Sequence, residues 1–157
     1  MTLYSSSEII DIAKQVEHAG EIFYAEALKY LKSAKVRELF THLHREEQRH
    51  AKLFEQILSE IDGDTGPWRQ DEEYLAYMRG LVRNQVFPSP EDARAAAADL
   101  QDEKAALMRA VSFEKDSILF FHELSNVLAE ENRGVIDALV DEERKHLQAI
   151  NKLIDEL

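Results

Sequence analysis

The chain has 157 residues, 45% of them hydrophobic, with three prolines and five glycines, a balance that suits one ordered globular domain around a single core and excludes a disordered or fibrous chain. Its formal charge of -12 speaks against nucleic acid as a partner, because phosphate binding needs a basic surface. There is no cysteine, which excludes disulfides, thiolate metal sites and iron–sulfur clusters and leaves oxygen and nitrogen as the only ligands for a metal.

Ser5 to Ser7 offer N-caps for a first long helix, predicted from Glu8 to about Lys32, in which Ile9, Ile12, Val16, Phe23, Ala27 and Tyr30 recur at helical spacing. The opening segment, MTLYSSSEII, has no positive run followed by an apolar one, and no stretch approaches the roughly 20 apolar residues of a membrane span. A cytoplasmic location, with no membrane partner, is the default expectation. Ser33 is the expected cap of a second helix from about Ala34 to Ile61, carrying Leu39, Phe40, Leu43, Ala51, Phe54, Leu58 and Ile61. The turn-forming run Asp62-Gly63-Asp64-Thr65-Gly66-Pro67 then breaks it.

Residues 62–101 read as a long crossover. Within it lie a short amphipathic segment with Tyr74, Leu75, Met78, Leu81 and Val82, and then Phe87-Pro88-Ser89-Pro90, which opens another short helix. A third long helix is predicted from about Asp102 to Leu128 and a fourth from about Arg133 to Glu156, linked around Glu130 to Asn132. Hairpins at about 8–61 and 102–156, joined by the crossover, make one all-α four-helix bundle.

An internal repeat supports two matching hairpins. VEHAGEIFYAEAL from Val16 aligns with FEKDSILFFHEL from Phe113, pairing Glu17 with Glu114 and Phe23 with Phe120. LHREEQRHAKLFEQIL from Leu43 aligns with LVDEERKHLQAINKLI from Leu139, pairing Glu47 with Glu143 and His50 with His146.

Residues three apart on a helix share a face. The two Glu-x-x-His spacings, Glu47 with His50 and Glu143 with His146, therefore each aim one carboxylate and one imidazole the same way. Apolar residues flank every candidate at helical spacing: Phe40, Leu43 and Phe54 around Glu47; Ile136, Leu139, Val140 and Ile150 around Glu143; Leu107, Ala110, Ile118 and Phe121 around Glu114; Ile10, Ala13, Gly20 and Tyr24 around Glu17. A buried carboxylate costs several kcal/mol unless it is paired or protonated. Two divalent metals would balance four of them, and bridging glutamates would set the ions roughly 3.5–4 Å apart. The expected half-sites are Glu17 with Glu47 and His50, and Glu114 with Glu143 and His146.

These segments together, VEHAGEIFY, EEQRHAKLF, FEKDSILFF and DEERKHLQAI, resemble the rubrerythrin family of the ferritin-like superfamily over nearly the whole chain. FEKDSILFF and DEERKH are most similar to its stand-alone branch. The resemblance implies a ferritin-like bundle in which Glu17, Glu47, His50, Glu114, Glu143 and His146 hold two iron ions, with manganese or zinc as substitutes. It implies reduction of hydrogen peroxide or reaction with O2, in the setting of oxidative stress. Ferroxidase action with iron storage or transfer is one alternative, and a metal-stabilised bundle without turnover is another. Full rubrerythrins carry a four-cysteine rubredoxin-like domain, which this chain lacks, so the electrons would come from an external donor such as a rubredoxin-like protein. They also carry a carboxylate one turn after the third-helix glutamate, where Ser117 stands here. Relatives form dimers, and a first helix apolar on more than one face fits a homodimer.

Other residues receive weaker assignments. Glu21 is an alternative to Glu17, but the repeat sets it opposite Ile118. Tyr24 shares the Glu17 face as a hydrogen-bond donor to a ligand carboxylate or as core packing. Glu46 and Glu142 fall about 100° from the ligand direction and are expected to be solvated or salt-bridged. His44, one turn before Glu47, is an alternative third-site ligand but is expected at the surface or supporting a ligand; His18, His42 and His122 show no partner pattern; Trp68 reads as a loop anchor.

Overall fold

The computed structural model describes residues 6–60, 72–128 and 130–157. Among them are six helices and no strand: α1 (Ser6–Ala27), α2 (Ala34–Glu60), α3 (Glu72–Arg83), α4 (Pro90–Ala98), α5 (Glu103–Val127) and α6 (Glu130–Glu156). None is long and apolar enough to cross a membrane.

The two expected hairpins are present, with α1 packed on α2 and α5 on α6. Contacts descend one helix as they climb the other: Leu28 with Arg37, Glu21 with Gln48 and Lys14 with Glu55 in the first hairpin, Leu128 with Arg133 and Ser125 with Asp137 in the second. Both pairs are therefore antiparallel. The crossover supplies α3 and α4, close to where the apolar spacing and the Pro-Ser-Pro segment set them. The turn residues Asp62 to Pro67, and Trp68, lie outside the described residues.

Local chemistry explains several helix ends. Ser89 caps α4, its hydroxyl accepting from Asp92 N at 3.1 Å, with Pro90 in the first turn. Asp102 caps α5 by accepting from Ala105 N at 2.7 Å. The next residue, Glu103, reaches back to the α1–α2 loop, where its Oε1 accepts from the backbone N–H of Lys32 at 2.7 Å and of Ser33 at 2.5 Å.

Three ends differ from the sequence reading. Helix α1 stops at Ala27 instead of running to about Lys32. Leu28 N still reaches Tyr24 O, at 3.4 Å, but Lys29 and Tyr30 bond back only three residues. Arg37 then donates to the carbonyls of Leu28 and Leu31, at 2.5 and 3.0 Å, and satisfies the end of the turn. Helix α6 begins at Glu130 rather than Arg133, because Glu130 and Glu131 favour a helix start, where the backbone dipole is positive. Ser5 lies outside the described residues, and α1 begins at Ser6.

Helix α1 is buried on two faces, as its sequence implied: Ile10, Ala13, Glu17 and Tyr24 on one, Ile9, Val16 and Phe23 on the other. The second face is covered within the chain. Helix α4 packs on α1, and the Phe87 ring stacks 4.5 Å from Phe23. Gly20 is required on the first face, since a Cβ there would lie 2.2 Å from Cζ of Phe113. That absence lets the Phe113 ring rest on the α1 backbone, one residue before Glu114.

Candidate metal centre

Each of the four long helices contributes to one buried polar cluster: Glu17 from α1, Glu47 and His50 from α2, Glu114 from α5, Glu143 and His146 from α6. The four carboxylates and His50 are fully buried, and His146 is 5% exposed. The local cause is the one the sequence carried, because each stands in a stripe of buried apolar residues such as Phe40, Leu43 and Phe54 on α2 or Ile136, Leu139 and Ile150 on α6.

Both imidazoles turn Nδ1 inward. His50 Nδ1 lies 2.9 Å from Glu17 Oε2 and 2.9 Å from Glu143 Oε1. His146 Nδ1 lies 2.8 Å from Glu143 Oε2, 3.6 Å from Glu114 Oε2 and 3.9 Å from Glu47 Oε1. The rings stack with centroids 5.8 Å apart. Two ligand groups of metal-binding size result, Glu17–Glu47–His50–Glu143 and Glu47–Glu114–Glu143–His146. Glu47 and Glu143 belong to both. Each expected half-site lies whole within one group, Glu17–Glu47–His50 in the first and Glu114–Glu143–His146 in the second, and each Glu-x-x-His helix also shares its carboxylate with the other group.

The outward nitrogens meet a second layer of carboxylates, again from the opposite hairpin. His50 Nε2 lies 2.8 Å from Glu142 Oε2 and His146 Nε2 lies 3.9 Å from Glu46 Oε2. Arg49 ties that layer together, donating to Glu46 at 2.9 Å and to Glu142. The salt bridges expected of Glu46 and Glu142 are present, but their contact with the imidazoles was not foreseen. Its signal was the residue before each ligand glutamate, at matching repeat positions.

Tyr24 donates its hydroxyl to Glu114 Oε1 at 2.5 Å. Glu21 turns away from the cluster, accepting from Gln48 at 2.9 Å and facing His18 at 3.1 Å. His44 Nδ1 pairs with the Glu21 backbone carbonyl at 3.1 Å. His18, His44 and His122 join no potential ligand group among the described residues. His42 does: it forms a group with Glu46 and His146 that the sequence reading missed, although His42 and Glu46 are one helical turn apart.

Electrostatics in the metal-free cluster favour bound protons. Burial pushes the Glu17, Glu47 and Glu114 carboxyls up, Glu114 to about 8, and neighbouring carboxylates add to each rise. Burial works against the charged imidazoles, but the carboxylates around them prevail and raise His50 to about 9 and His146 to about 10. Glu143 is held below its ordinary value despite burial, because both imidazoles bond to it.

The donor atoms fit a metal. Glu17 Oε1, both oxygens of Glu47 and Glu114 Oε2 are buried without a hydrogen-bond partner among the described residues. Leaving such atoms unsatisfied costs roughly 1–3 kcal/mol each, more when charged. Four carboxylates and two imidazoles form an oxygen and nitrogen set suited to hard or borderline divalent ions.

The family model for Rubrerythrin matches residues 8–87, a span that includes Glu17, Glu47 and His50. A solved structure from Thermotoga maritima, provisionally described as a ferritin-like diiron-carboxylate protein, is similar over 99% of this chain and 98% of its own, with 23% sequence identity and a TM-score of 0.72. That likeness establishes the ferritin-like fold across both hairpins. No curated protein matches the chain.

Proposed function

The chain belongs to the rubrerythrin family, and from that premise we propose that it is a di-iron oxidoreductase that reduces hydrogen peroxide or reacts with O2, using electrons from an external donor such as a rubredoxin-like protein. Glu17, Glu47, His50, Glu114, Glu143 and His146 would hold the two iron ions. The observation that carries this reading is the burial of four carboxylates and two imidazoles against one another, with carboxylate oxygens left unsatisfied. Paired irons supply two electrons at once, which is what the reduction of peroxide to water consumes.

The residues divide the remaining work. Glu47 and Glu143, common to both ligand groups, would be shared between the two ions, while Glu17 with His50, and Glu114 with His146, would each serve one. Tyr24 holds a proton against Glu114 Oε1; burial and the Glu114 charge push its own pKa up, so the phenol stays a donor. Glu142 accepts from His50 Nε2 and thereby leaves Nδ1 free to bind a metal. The rings of Phe23, Phe40 and Phe113 pack around Tyr24, with Phe87 behind them against Phe23, and make that side of the cluster apolar.

Stopped-flow spectroscopy of the iron-loaded protein tests the proposal. Oxidation much faster with peroxide than with O2, followed by re-reduction by a rubredoxin-like donor, is the expected result. Oxidation of many irons per chain would point to iron storage instead, and failure to take up iron would overturn both.

A further inference from the structure

Outside the inner cluster, two groups on the α2–α6 seam have metal-binding size, Glu46–His50–Glu142 and His42–Glu46–His146. The first already has a cation. Arg49 Nη2 bonds both carboxylates and sits 3.2 Å from His50 Nε2, where an ion would otherwise lie. The second presents two imidazoles, their rings nearly perpendicular at 6.0 Å, and one carboxylate, Glu46, whose Oε2 is held by Arg49 at 2.9 Å and would exchange that contact for the ion. His42 is exposed, Glu46 half-buried and His146 buried, so the group runs from solvent to the wall of the inner cluster. Two imidazoles and a carboxylate suit a borderline divalent ion such as Zn²⁺ or Fe²⁺.

We propose that His42, Glu46 and the outward nitrogen of His146 form a third divalent-cation site, which takes an ion from solvent before the inner pair fills. His146 links the two places. Its Nδ1 faces Glu143 at 2.8 Å and its Nε2 faces Glu46 at 3.9 Å. A neutral imidazole has one free lone pair. With the ion outside, Nε2 ligates and Nδ1–H donates to Glu143. With the ion inside, Nδ1 ligates and Nε2–H turns to Glu46. One ring cannot serve both ions, so the outer site empties as the inner one fills. This order of filling rests on the inner metal centre proposed above; the outer site itself does not.

Zinc is the probe, read by metal stoichiometry and by the histidine NMR signals. In the unaltered chain the His42 signal should shift with the first zinc added and return as two ions settle inside; a His42 signal unmoved throughout overturns the proposal. Glu47→Gln with Glu143→Gln, which removes charge without opening a cavity, should leave one zinc bound, and adding His42→Ala should weaken that zinc by about tenfold or more. Zinc binding in the double variant that ignores His42→Ala, or no binding at all, also overturns it. His42→Ala alone should still end with two zincs, reached several-fold more slowly; an unchanged loading rate counts against the outer site. If the unaltered chain takes up only one zinc, and that one through His42, the inner reading fails while the outer site stands.

Discussion

The hydroxyl of Tyr24 on α1 donates to Oε1 of Glu114 on α5 across 2.5 Å, inside a fully buried cluster. The repeat sets Phe121 opposite Tyr24, and Phe121 packs on Phe54 at 5.2 Å instead. Glu17 therefore lacks the phenol that Glu114 has, and the two halves of the cluster are unequal. Tyr24→Phe should keep the fold and two bound metals. It strands a second oxygen of Glu114, so the metal-free variant should lose about 1–3 kcal/mol in chemical denaturation. The loss should shrink once metal neutralises Glu114; an equal loss in both forms would show that the phenol does nothing particular to that carboxylate.

Glu142 acts on the metal through His50, because an imidazole whose Nε2–H is held presents Nδ1 in a fixed direction. Glu142→Ala should weaken metal binding by about 10–100-fold. Glu142→Gln, which keeps an acceptor, should lose less. Competition against a chromogenic chelator measures both, and equal affinities in all three proteins would remove Glu142 from the site.

Acidity offers a test with a definite sign. His50 and His146 are raised from 6.5 to about 9 and about 10, so their protonation stabilises the metal-free fold fully below about 6.5, and that stability is lost as pH rises through 9 to 10. Glu114, raised from 4.5 to about 8, is increasingly penalised from 4.5 upward. Glu143, lowered, adds stability above 4.5 that is lost in acid. Metal-free protein should thus melt at a lower temperature at pH 9 than at pH 6. Metal binding must expel these protons, so the gain in Tm on adding metal should be larger at pH 9. Titration calorimetry in buffers of different ionisation enthalpy should find roughly three or more protons released per chain near pH 7, from His50, His146 and the raised carboxyls.

Gly20 controls the approach of α5 to α1. Gly20→Ala places a methyl against the Phe113 ring, and overpacking of this kind costs about 1–3 kcal/mol. Gly80, where an added Cβ would meet nothing within 4 Å, is the control: Gly80→Ala sits in the interior of α3 and should gain up to about 1 kcal/mol from helix propensity. Thermal melts of the two variants should move in opposite directions.

Much of this arrangement was legible because its signals are periodic. Glu47 and His50, and Glu143 and His146, are three residues apart and repeat in register, and the apolar stripes around them set which way they face. The crossover helices were legible from Ser89-Pro90 and the spacing of Tyr74, Met78 and Val82. What the sequence left open depends on contacts between hairpins. Which glutamates are shared follows from α2 lying against α6, and no spacing within one helix encodes that. The reach of Glu142 to His50, and the meeting of His42 with His146, arise from the same crossing. The early end of α1 depends on Arg37, nine residues beyond Leu28, turning back to take its carbonyl.

If one cluster holds two metal ions with Glu47 and Glu143 between them, a crystal structure of the iron-loaded protein, with anomalous data collected at the iron edge, reveals both. Two peaks roughly 3.5–4 Å apart, both touched by Glu47 and Glu143, one capped by His50 and the other by His146, are the predicted result. A single peak, or iron bound away from these six residues, would contradict it.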